Sequence, residues 1–195
     1  TVFLLGAVAA CVLGTRCRSF PGVLEALALG LILGGLLTVA IELLQLFRVP
    51  NSCPTLLALE PGDAERRMWG NMNQPNHVAS YLAFGLAACA FFASKFRRTW
   101  ILFAVIAFAL MLGMSLTVSR VTWLYIAVIG GLGGLQWTTG QRGPQRWLKA
   151  CVPLVTLVLG YQICNWLVSY ANILWHLDLP MSLGERMQQG VGLRP

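Results

Sequence analysis

The chain has 195 residues, of which 57% are hydrophobic and only 11% charged; its net charge is +7 and its mean hydropathy +0.69. A soluble domain carries about 25% charged residues, so the composition excludes a disordered chain, a soluble charged enzyme and a nucleic-acid binder that works through a dense basic face. The composition suits lipid as the solvent, and the useful count is of apolar runs, each needing about 20 residues to cross the hydrocarbon core.

The first run, Val2–Gly14, is short for a span and lacks the basic region that precedes a signal peptide. With Thr at position 1 it reads as the later half of a helix that starts before this chain does. At the other end Gly184–Pro195 stops in polar sequence with no closing element, so an internal piece of a larger membrane protein is expected. Between them lie Gly22–Phe47, His77–Ser94, Trp100–Thr117, Val121–Trp137 and Ala150–Tyr170. These runs are uniformly apolar, without the polar–apolar alternation of barrel strands. The predicted fold is all-α: a polytopic transmembrane helix bundle with about six membrane segments, residues 1–195 forming one partial domain. Gly30/Gly34 and Gly130/Gly134 have the spacing that lets helix backbones approach closely.

Charge orients these segments. The loops 15–21, 95–99 and 138–149 hold eight basic and no acidic residues, whereas the opposite side holds six basic and five acidic ones. Positively charged loops stay cytoplasmic, which puts 48–76 and 171–195 outside. Trp100, Trp137 and Trp147 flank the cytoplasmic loops, as interfacial rings do. Glu25 and Glu42 are left within the Gly22–Phe47 run. Glu42 and Gln45, three residues apart on one helix face, are expected near the outer end, where a carboxylate reaches water; lining a cavity is the alternative. Cys53 alone falls in an external loop, so no structural disulfide is expected. Two isolated histidines and no CxxC give no metal site. The absence of a P-loop or G-x-G-x-x-G gives no nucleotide cofactor and weakens the case for ATP-driven transport.

Two stretches carry chemistry. The first, Trp69-Gly-Asn-Met-Asn-Gln-Pro-Asn-His, lies where the long external loop enters a helix. Pro75 suits a first helical turn, and Asn73 or Asn76 would cap it. Capping explains one Asn and the Pro, but not Asn71, Asn73, Gln74, Asn76 and His77 crowded at a membrane boundary, where polar side chains face protein or a wet cavity. The second, Ser115-Leu-Thr-Val-Ser-Arg120-Val-Thr-Trp, is a short external turn whose Arg120 has no charged neighbour in sequence. An arginine there either snorkels to headgroups or binds phosphate through its guanidinium fork, with Ser119 and Thr122 adding hydroxyls.

Gly70-Asn-Met-Asn-Gln-Pro-Asn76 before an apolar helix, followed by Thr117-Val-Ser-Arg120 with Trp123, resembles the O-antigen ligase superfamily. Within it the chain looks most like the bacterial protein-glycosylation ligases, or O-oligosaccharyltransferases. The resemblance implies a GT-C-like, multi-pass enzyme of the bacterial inner membrane that needs no metal or nucleotide sugar. Such an enzyme moves a preassembled glycan from an undecaprenyl-diphosphate carrier to a hydroxyl on the periplasmic face. The acceptor is a protein Ser or Thr, as in pilin, or a lipid A core sugar. The family's functional Gln, Asn and Arg carry over onto Gln74, Asn76 and Arg120; Asn71, Asn73, Gln74, Ser119 and Arg120 become the residues expected to bind diphosphate or glycan. Glu185-Arg186-Met187 and Leu193-Arg194 resemble the start of the family's large periplasmic loop, whose essential His is expected beyond this chain. The chain departs from the pattern at Thr117, where a Ser is expected, and at His77, which is not promoted to a base. His176 reads as an interfacial structural residue.

An O-unit polymerase acting on the same carrier lipid is the nearest alternative. A transporter is the alternative from another class, but its ionisable pairs or broken helices would lie near the midplane, whereas the polar residues here gather at the rim. The charge bias makes a direct prediction in a cysteine-free background. In intact spheroplasts an impermeant thiol reagent should label Asp63→Cys and not Gln141→Cys; the reverse pattern would invert the topology.

Overall fold

The structure is a computed structural model that describes residues 22–47, 49, 68–72, 74–139, 145–177 and 179. The expected segment Val2–Gly14, the loop 15–21, Asn73, most of the rest of 48–76 and the tail beyond Leu179 lie outside the described residues. Those described form five α-helices and no strand: α1 (Val23–Leu46), α2 (Pro75–Lys95), α3 (Trp100–Leu116), α4 (Val121–Trp137) and α5 (Arg146–Trp175), with a 3-10 turn at Arg97–Thr99 between α2 and α3. By length and composition α1, α2 and α5 can each cross a membrane. The apolar helices α3 and α4 have 17 residues each, at the short end of the roughly 17–25 that a span requires. These are the features of a helical membrane protein.

The α2–α3 and α3–α4 connections are short, so these helices run antiparallel in turn, and the bundle has two distinct ends. One end carries the start of α1, the end of α2 and the start of α5. There Lys95 pairs with Glu25, and Phe92 stacks on Phe103 at 5.3 Å and on Phe96 at 5.9 Å. Trp100, Trp137 and Trp147 are all exposed at this end. The other end carries the end of α1, the start of α2 and the turn between α3 and α4.

In the interior α2 packs against α1, α3 and α4, and α3 packs against α1, α2 and α5. Ile32, Leu82, Leu110, Met114, Ile126 and Tyr161 meet in its core. The outer faces are also apolar, with Leu33, Leu132, Leu159 and Trp166 exposed. Lipid is as apolar as leucine, so close fit rather than exclusion from water holds such helices together. Gly130 and Gly134 provide that fit between α4 and α5: a Cβ on Gly134 would run into the carbonyl oxygen of Ala150, and one on Gly130 would lie 2.7 Å from Cα of Leu154. Of the other spaced pair only Gly34 is packed, against the Tyr81 ring, while Gly30 faces open space.

The helix bounds follow the apolar runs except at α5, which extends through Arg146–Lys149 and Ala171–Trp175, both expected as loop. A hydropathy count stops at the first polar residue, but helical hydrogen bonding does not. The helix ends where His176 takes φ 48, with the Leu177 N–H bonded to Asn172 O at 3.3 Å and the Leu179 N–H to Asn172 Oδ1 at 2.9 Å. His176 thus serves as a helix terminator, in line with its structural reading.

The α4–α5 contact yields a paired test. Gly134→Ala should destabilise the protein by about 1–3 kcal/mol through overpacking. Gly131→Ala, whose Cβ would meet nothing within 4 Å, should be neutral or gain up to about 1 kcal/mol of helix propensity. Unfolding midpoints in detergent check both.

Candidate functional site

At the end of the bundle away from Lys95, the chain enters α2 through a reverse turn, in which the Met72 N–H bonds to Trp69 O at 3.1 Å. Gly70 adopts φ 53 within it. A side chain would be strained there, and a Cβ would also lie 3.0 Å from Cγ2 of Thr38. The turn is anchored on both sides. The Met68 N–H bonds to Leu116 O at 3.4 Å. Gln45 of α1, 1% exposed, donates its Nε2–H to Gly70 O at 2.9 Å and accepts the N–H groups of Gly70 and Trp69 at 3.1 and 3.3 Å.

Asn71 and Gln74 are exposed on this rim. Gln74 is the N-cap residue of α2, extended at φ −153 and ψ 118, followed by Pro75 in the first turn. Its carbonyl accepts the N–H groups of His77 and Val78, but its side chain makes no capping bond. Asn76, the capping candidate that falls among the described residues, points its Oδ1 elsewhere and accepts the Ser119 hydroxyl at 2.8 Å. Capping therefore accounts for Pro75 and not for the side chains of Gln74 and Asn76. His77 is exposed beside them.

The Asn76–Ser119 bond draws in the second motif, 43 residues along the chain. The turn between α3 and α4 is tightly held: Thr117 Oγ1 donates to Met114 O at 2.8 Å and accepts the Ser119 N–H at 3.3 Å. Val118 sits at φ 48 in this turn, a left-handed conformation that is unusual for a β-branched residue and costs on the order of 1–3 kcal/mol. This turn leaves Arg120 exposed at the start of α4 and buries Ser119 and Thr122. A second tie lies one turn deeper, where the hydroxyls of Ser80 and Tyr125 share a hydrogen bond of 2.7 Å. The structure thus brings Asn71, Gln74, Asn76, Ser119 and Arg120 to one end of the bundle, with Ser119 engaged in holding Asn76.

Glu42, expected where a carboxylate reaches water, is buried instead: it is 0% exposed, and a Cβ on Gly113 would lie 2.7 Å from its Oε2. Both carboxylate oxygens lack a hydrogen-bond partner among the described residues. Gln45 is buried as well. Burial of such groups depends on partners in three dimensions, which hydropathy along one helix does not reveal. Among the described residues no three His, Cys, Asp or Glu side chains cluster as metal ligands would.

Residues 68–91 match the sequence profile of a family described as protein glycosylation ligase. This stretch relates the chain to the protein glycosylation ligases. The match opens at Met68, where the chain docks on Leu116, spans the anchored turn and the asparagine-rich helix start, and runs through most of α2. It supports glycosyl transfer as the class of activity, with a glycan and a protein as the substrates. Nothing matches the chain among curated proteins or among solved structures.

Proposed function

We propose that the chain carries the donor end of a membrane glycosyltransferase, which moves a preassembled glycan from undecaprenyl diphosphate to a protein Ser or Thr hydroxyl. In this reading the bundle is GT-C-like with about six membrane segments in this chain. It lies in the bacterial inner membrane, with the rim of Gln74 and Arg120 facing the periplasm. The reading is carried chiefly by the Asn76–Ser119 bond, which joins the family-matched helix start to the Arg120 turn. The family match favours a protein acceptor over a lipid A core sugar, and a ligase over an O-unit polymerase or a transporter.

The acceptor oxygen attacks the anomeric carbon, the bond from that carbon to the diphosphate oxygen breaks, and the hydroxyl proton passes to a base. The leaving diphosphate gathers negative charge. Arg120 would neutralise it through its fork, the amides of Asn71, Gln74 and Asn76 would donate hydrogen bonds, and the positive end of the α2 dipole favours an anion. Such preorganised donors act where charge develops in the transition state. An apolar cavity of about 340 Å³, lined by residues that include Leu46, Phe47, Leu112, Leu116, Val168 and Leu174, lies at the same end and suits the polyprenyl chain.

Transfer from purified lipid-linked glycan in detergent, using the intact protein, tests this. Gln74→Ala should lower turnover by about tenfold or more while membrane abundance is kept. Arg120→Lys keeps the charge and loses the fork, so activity should fall in part. Arg120→Met should cost on the order of 10²-fold. Near wild-type turnover by Arg120→Met at subsaturating donor would remove Arg120 from the site.

A further inference from the structure

We propose that Gln45 is a positioning residue for glycan transfer: its buried amide fixes the Trp69–Gly70 turn, and with it the placement of Asn71 and Gln74 at the rim. The inference rests on the reading of that rim as the donor site. A primary amide buried in a helical bundle is costly unless its donor and acceptor are both used. Gln45 uses both on the backbone of one loop: its oxygen takes the N–H groups of Trp69 and Gly70, and its nitrogen gives to Gly70 O. Both backbone groups of Gly70 are thereby paired by a single side chain, as a neighbouring strand would pair them. The amide orientation is unambiguous, because a flipped amide would set N–H groups against N–H groups.

Methionine has much the same length but would leave these three backbone hydrogen bonds unmade. Those bonds, with the Met72–Trp69 and Met68–Leu116 backbone bonds, hold Gly70 at φ 53 four residues before Gln74. In this turn the chain has no regular ladder to define its path, so the direction in which Asn71 and Gln74 leave it depends on the clamp from α1, on the Met68–Leu116 bond and on the start of α2. A shift of about 1 Å in a reacting constellation can cost on the order of 10²-fold in rate.

Gln45→Met in the intact protein tests this, with kinetics normalised to folded protein. kcat should fall by about tenfold to a hundredfold, with the donor KM changed by less than about threefold. Amide hydrogen exchange of the peptide 68–72 should speed up on the order of tenfold, while exchange in α4 and α5 and the unfolding midpoint stay near wild type. A variant whose turn exchanges faster but whose kcat per folded molecule is unchanged overturns the proposal, as does one in which neither changes. If Gln45→Met does not fold, Gln45→Glu serves instead. Its carboxylate keeps the two acceptor contacts and loses the donation to Gly70, so exchange and kcat should shift the same way by less; wild-type kcat in that variant overturns the proposal. Wild-type protein that transfers no glycan defeats the reading of the site and this inference together. Active wild type with an indifferent Gln45 variant defeats the inference alone.

Discussion

The hydrogen bond from Ser119 to Asn76, at 2.8 Å, is the contact on which the arrangement of the rim depends. It joins the first turn of α2 to the turn that opens α4, two elements separated by the whole α2–α3 hairpin. In lipid a polar side chain needs a partner within the protein, and at the membrane boundary this pair supplies one from each motif. Without it, an exposed arginine in one turn and an exposed glutamine in another would be two separate surface features. With it, in the proposed reading, they belong to one surface that meets an anion.

The rest of the bundle serves to make that contact reproducible. Close approach of α4 to α5 at Gly130 and Gly134, and the Leu82, Leu110 and Met114 core, give the helices one fit rather than a range of them, since van der Waals packing is the main attraction available between apolar helices in lipid. The Ser80–Tyr125 bond repeats the α2–α4 tie one turn deeper. On that base the irregular segments are held by side chains: Gln45 holds the Trp69–Gly70 turn, and Thr117 holds the turn that places Val118 at positive φ. Irregular backbone at the edge of a membrane is stable only where its polar groups are engaged in this way.

Much of this is legible in the sequence. Apolar runs locate the five described helices, because a span has to be apolar along its length, and Pro75 marks the start of α2 because the N–H it lacks is not needed there. The unusual density of amides around Gln74, and the solitary Arg120, stand out because polar groups at that depth require a reason. Whatever depends on partners distant in sequence is not legible. The clamp from Gln45 spans 25 residues to Gly70 and the Asn76–Ser119 bond spans 43, and neither residue type announces its partner. Glu42 looks accessible from its place near a helix end, but its depth is set by Gly113 on another helix. The ends of α5 are obscured because composition changes at the interface before the helix stops.

The most direct measurement is a double-mutant cycle on Asn76→Ala and Ser119→Ala, read as glycan transfer by the intact protein from purified lipid-linked donor. If the two motifs act as one surface through this bond, either single variant loses activity and the double variant loses little more than the worse single, a coupling of about 1 kcal/mol or more. Losses that simply add, or single variants with wild-type turnover, would show that the helix start and the Arg120 turn work independently and would contradict a shared site.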